Sequence, residues 1–131
     1  MEEKKTKEIK SLKPGSYVLI DGEVCKVDKL QISKPGKHGG AKARLSASGV
    51  FDKGVRKTVV KPASTKMEVP IILKKTAQII AVMGDSVQLM DLEDYSMMEI
   101  PIPEEFKGQL ESGKEVVIWK FGNKVMIKGF K

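Results

Sequence analysis

The spacing of turn residues constrains this chain more than any other feature. Pro14-Gly15, Asp21-Gly22, the run Pro35-Gly36-Lys37-His38-Gly39-Gly40, Asp52-Lys53-Gly54, Gly84-Asp85 and Gly122-Asn123 cut it into short segments. Glycine reaches φ > 0 without steric penalty and proline fixes φ, so these positions reverse the chain rather than extend it. The segments between them are rich in β-branched and apolar residues: Tyr17 to Ile20, Val24 to Ser33, Ala41 to Val50, Val55 to Lys61, Ile71 to Val82, Val87 to Asp91, Met97 to Ile102, Val116 to Phe121 and Val125 to Ile127. Short strands at such spacing predict an all-β chain of small barrels. Within Val24 to Ser33 the apolar alternation changes phase, from Cys25 and Val27 to Leu30 and Ile32, which predicts a bulge or a strand curling between two faces.

One segment reads as helix. Glu104 to Leu110 follows Pro103, carries two glutamates in its first turn and precedes Gly113. Met1 to Ile9, a mixture dominated by charged residues, reads as a frayed tail. Pro62 to Pro70 has little periodicity and is the expected joint, giving domains 1–70 and 71–131. Strands, a short helix and further strands in the second domain suggest an OB-type barrel.

Net charge sharpens the division. The chain carries +7, but residues 1–70 hold 16 Lys/Arg against 8 Asp/Glu and residues 71–131 hold 8 against 9. Basic character confined to one half favours a phosphate backbone as partner, bound through counterion release. The amino terminus lacks the apolar core of a secretory signal, no apolar run is long enough to span a membrane, and Cys25 is the sole cysteine. A cytoplasmic chain without a disulfide is expected. Aromatic residues are too sparse for a broad stacking platform.

Catalytic arrangements are hard to assemble. His38 is the only histidine, which excludes a two-histidine metal site, and beside glycines it reads as a solvated or RNA-facing residue. No phosphate-loop pattern occurs. Adjacent Glu104 and Glu105 point apart on a helix and complement its dipole. The methionines, Met97-Met98 among them, read as core filler. At least one of Trp119 and Phe121 should be core. No metal, bound cofactor or catalytic residue is expected.

Lys37 has the one distinctive setting. It sits at the centre of Ser33 to Arg44, S-K-P-G-K-H-G-G-A-K-A-R, whose simplest reading is a long β-hairpin presenting Lys37 on a glycine turn, with Lys34, Lys42 and Arg44 as basic flanks. The bland alternative is a flexible basic loop. An exposed tip gives no burial to depress a lysine pKa, so a Schiff-base nucleophile is the weakest reading. A lysine so displayed is accessible to another enzyme's active site.

S-K-P-G-K-H-G-x-A-K closely resembles the hypusine loop of the translation factor 5A family, relatives of bacterial elongation factor P. The resemblance extends over the early Pro-Gly turn, the segment Pro62 to Pro70 and the strand-rich second half. It implies an SH3-like amino-terminal barrel followed by an OB-fold. It implies that Lys37, presented by Lys34, Pro35, Gly36, His38, Gly39 and Gly40, receives an aminobutyl group from spermidine through deoxyhypusine synthase, giving deoxyhypusine or, after hydroxylation, hypusine. Pro35 and Gly40 stand where Thr and His are usual in eukaryotic members, an archaeal pattern. The resemblance further implies a monomer that binds the ribosome (rRNA and peptidyl-tRNA) and aids peptide-bond formation at stalled, polyproline sites, without being an enzyme. The alternative is an unmodified, generic RNA-binding module.

Overall fold

A computed structural model of the chain describes residues 3–34 and 40–131. The chain divides into two compact units, one ending at Ile71 and the other running Ile72–Lys131.

The first unit holds β1 (Glu3–Glu8), β2 (Tyr17–Ile20), β3 (Glu23–Ser33), β4 (Lys42–Gly49), β5 (Arg56–Pro62) and β6 (Lys66–Ile71), with a single 3₁₀ turn over Ile9–Ser11. Strands β2-β3-β4-β5 form a curled antiparallel sheet, and β1 pairs with β6 in a two-stranded ribbon. Alternation along β4 explains its seating: Ala43, Leu45 and Ala47 are buried while Lys42 and Arg44 face out. They join Ile9, Leu12, Val18, Ile20, Cys25 and Val27 in one core. Asp21 and Gly22, at φ 52° and 78°, make the two-residue turn between β2 and β3. Positive φ at both central residues is the type I′ geometry that matches strand twist.

The phase change in β3 is a β-bulge. Its register against β4 shifts between Val27 and Lys29, leaving Asp28 unpaired. Ser48 Oγ donates to Asp28 Oδ1 at 3.2 Å.

The second unit holds β7 (Leu73–Met83), β8 (Ser86–Asp91), β9 (Met97–Pro101), β10 (Glu115–Phe121) and β11 (Lys124–Phe130). Its antiparallel sheet runs β11-β10-β7-β8-β9. That order, with a 3₁₀ turn between the third and fourth strands, is the arrangement of an OB-type barrel. Register shifts at Ile79/Ala81 and Val117/Ile118 increase the twist that curls the sheet. Gly84 and Gly122 open the two tight hairpins with φ near +60°. Ala77, Ile79, Val87, Leu89, Leu110, Val116, Ile118 and Ile127 form the core. Trp119 and Phe121 are both buried, and Lys74 and Lys128 lie over the indole at 5.0 and 4.5 Å from its centre.

Four expectations are corrected. Residues 3–8 are a paired strand rather than a frayed tail, and Ile9 is fully buried beneath them. Backbone pairing with β6, not apolar burial, holds this polar edge, so periodicity could not show it. Residues 66–71, expected to be a joint, are that partner strand. The helix expected over Glu104 to Leu110 is a 3₁₀ turn, Glu104–Phe106. Successive i→i+3 bonds run through it, and Gly108 leaves it at φ 77°. Seven residues containing a glycine do not overcome helix nucleation. Finally, β9 alternates, so Met98 packs on the core while Met97 points outward.

Candidate functional site: the β3–β4 hairpin and its basic face

The expected site is the connection between β3 and β4. Ser33 pairs with Lys42 at the end of the ladder, so residues 34–41 form the connection. Pro35, Gly36, Lys37, His38 and Gly39 lie outside the described residues. Lys34 and Gly40, which flank them, are exposed. The connection is anchored at its base, where the Ala63 N–H donates to the Ala41 carbonyl at 2.9 Å.

The stem is a three-strand surface with a consistent outward row. Lys42 stands between Ser33 and Pro62, and Arg44 between Gln31 and Val60. Directly opposed residues share a face, so each cation has uncharged cross-strand neighbours. No ion pair to Lys34, Lys42 or Arg44 occurs among the described residues, and their charge faces outward uncompensated by a carboxylate partner.

The structure adds three cations to that row. Lys29 pairs with Ser46, and Lys26 with Ser48, which also faces Arg56. Ser46 and Ser48 continue the outward face of Lys42 and Arg44. Lys26 and Lys29 are three residues apart and would lie on opposite faces of a regular strand. The bulge at Asp28 returns both to the same face. The phase change was the sequence signal from which this basic row could have been read.

A second charged group lies in the other unit. Asp91 is fully buried. Its Oδ1 accepts the Glu93 N–H at 2.8 Å, and its Oδ2 lies 3.0 Å from Lys75 Nζ and 3.7 Å from Lys120 Nζ. Burial pushes this carboxyl up, but the Glu93 N–H and the Lys75 ammonium together outweigh it and hold it below the usual carboxylate range. The Asp91 hydrogen bond in turn raises Lys75. With every polar atom matched, the group reads as a clasp on the turn after β8. Among the described residues no three or more His, Cys, Asp or Glu side chains gather as a metal site.

Known proteins match both halves. The family described as "Translation initiation factor 5A-like, N-terminal" matches residues 3–65. That described as "Eukaryotic elongation factor 5A hypusine, DNA-binding OB fold" matches residues 71–131. Translation initiation factor 5A of Thermococcus onnurineus is 48% identical over 132 residues, covering 97% of this chain and 96% of that protein. Its counterpart from Methanothermobacter thermautotrophicus is 54% identical over 113 residues, 86% of each. The solved structure of eukaryotic translation initiation factor 5A from Methanococcus jannaschii superposes with a TM-score of 0.86 at 47% identity, covering 98% of this chain and 95% of that one. A family member from Naegleria fowleri gives 0.76 at 28% identity, with 98% of both chains covered. With both barrels and nearly the whole length matched, this chain belongs to the translation initiation factor 5A family.

Proposed function

We propose that this chain is a ribosome-binding factor that promotes peptide-bond formation at stalled sites, polyproline among them, through a (deoxy)hypusine built on Lys37. Spermidine supplies the aminobutyl group and deoxyhypusine synthase transfers it. The observation that carries the reading is the hairpin stem, where Lys42 and Arg44 face outward between uncharged neighbours and lead into S-K-P-G-K-H-G-G-A-K. Lysines without carboxylate partners release counterions when they meet phosphate. Lys34, Lys42 and Arg44, continued by Lys29, Lys26 and Arg56, would hold the backbone of rRNA or of peptidyl-tRNA. That leaves the extended Lys37 side chain to act beyond them. Phosphate contacts fix register, while the modified tip adds a second amine and added reach.

On this reading the factor performs no covalent chemistry. It orients reactants that the ribosome already holds, an entropic contribution. It works in the cytoplasm as a monomer, with the ribosome and deoxyhypusine synthase as partners.

The deciding assay is reconstituted translation of a polyproline message on matched ribosomes. Modified wild type, unmodified wild type and Lys37→Arg are compared, with each fold checked by circular dichroism. Arginine keeps the charge but lacks the primary amine that accepts the aminobutyl group. Lys37→Arg and the unmodified chain are expected to lose nearly all relief of stalling with unchanged spectra. Equal activity of all three would replace this reading with that of a generic RNA-binding module.

A further inference from the structure

Tyr95 occupies a backbone position that suits glycine. It lies in the turn between β8 and β9 at φ 62°, in the left-handed region that side chains with a Cβ enter at a cost. The turn is held from several sides. The Tyr95 N–H donates to the Asp91 carbonyl at 2.7 Å, and the Asp91 N–H donates to the Ser96 carbonyl at 2.9 Å. The Ser96 N–H and Oγ donate to Asp94 Oδ1 at 2.9 and 2.7 Å, and the buried Asp91 carboxylate fastens the Glu93 N–H. The conformation at Tyr95 is therefore imposed by its neighbours.

The side chain returns little to the fold, because Tyr95 is 70% exposed. Folding alone would favour glycine or asparagine there. An exposed aromatic ring carried on a clamped turn has the form of an interface anchor: large area, few rotors and a backbone already ordered. Beside it in sequence Met97 is 48% exposed, paired directly with Met90 on the same face.

Charge selects the kind of partner. Residues 91–99 contain Asp91, Glu93, Asp94 and Glu99 and no lysine or arginine. Lys75 bridges Asp91 and Glu93, and Lys120 approaches Asp91. Asp94 and Glu99 make no ion pair among the described residues. A phosphate backbone would meet unbalanced carboxylates here, whereas a cationic protein surface would pair with them.

We propose that Tyr95 and Met97 anchor the second unit to a protein surface bearing an apolar slot rimmed by lysine or arginine. This rests on the ribosome-binding reading above, so the occupant is a basic ribosomal protein rather than rRNA.

The test uses the full chain, modified at Lys37, with purified matched ribosomes. Tyr95→Gly removes the ring and relieves the backbone, and Tyr95→Phe keeps the ring. Tyr95→Gly is expected to melt at the same or a higher temperature than wild type while sedimenting with ribosomes on the order of tenfold more weakly. Tyr95→Phe should match wild type in both. A benzophenone amino acid at position 95 should cross-link to a ribosomal protein on irradiation. Unchanged binding by Tyr95→Gly, or cross-links confined to rRNA or to a second copy of the chain, overturns the anchor and leaves the ribosome-binding reading intact. Failure of wild type itself to bind ribosomes overturns both.

Discussion

Asp91 shows how one residue can order a turn from inside a barrel. Its carboxylate has no exposed surface, yet it accepts a backbone N–H and faces two lysines. Removing one partner of such a cluster costs more than the cluster contributes, because the remaining charges stay desolvated. Asp91→Asn keeps an acceptor for the Glu93 N–H but strips Lys75 and Lys120 of their counter-charge. A loss of about 2–3 kcal/mol is expected, since both lysines reach solvent in part. The pH dependence follows from the direction of the shift. A carboxyl held below its ordinary value stabilises the fold above the unfolded value of about 3.9, and that stabilisation fades as pH falls through the lower folded value. The gap in melting temperature between wild type and Asp91→Asn should thus be widest near neutrality and narrow below about pH 4. A gap constant from pH 7 to pH 3 would count against the clasp. No pattern in the sequence marks Asp91, because its partners come from β7 and β10, far along the chain.

At the scale of elements, the β3–β4 stem divides its labour between two faces. The stem's inward row, Ala43, Leu45 and Ala47, fixes its pose in the core, and the outward row carries charge. Replacing Lys34, Lys42 and Arg44 together by glutamine should weaken ribosome co-sedimentation more steeply than replacing Lys107, Lys114 and Lys131, and should flatten the salt dependence by about two to three phosphate contacts. Lys74, Lys75 and Lys128 would make a poor comparison set, since Lys75 serves Asp91 and the other two lie on Trp119. Equal losses from both sets would place the contact surface elsewhere. Strands with an apolar face, such as β4, β8 and β10, were legible because one face is buried and alternation records it. The bulge was legible for the same reason, as a slip in that record. β1 was not, because backbone pairing at an exposed polar edge leaves no alternation to read; in β6 the alternation of Met67 and Val69 against Lys66 and Glu68 is short and ends at Pro70. The left-handed turn at Tyr95 escaped because none of its residues is glycine, proline or asparagine. Lys37 was singled out only by the order of residues around it, and it lies outside the described residues.

At the scale of the molecule, the two units have separate cores with no residue in common. The basic excess belongs to the first, and the second carries slightly more acid than base. On the proposed reading, such a division lets the first unit follow phosphate while the second meets a protein surface. Composition made the charge split visible, but the joint was harder to place: Pro62 to Pro70 looked unstructured because β6 hides its pairing with β1. We therefore expect independence to begin after Ile71 rather than within that stretch. Residues 72–131 alone retain the five-stranded sheet, its eight buried core residues and the Asp91 cluster. About sixty residues is near the lower limit for folding without a staple, so the isolated unit should be marginal but cooperative. Its amide NMR spectrum should be dispersed. A collapsed spectrum from a chain whose intact form is well folded would mean that the second barrel depends on the first. The two units would then have to be treated as one folding domain.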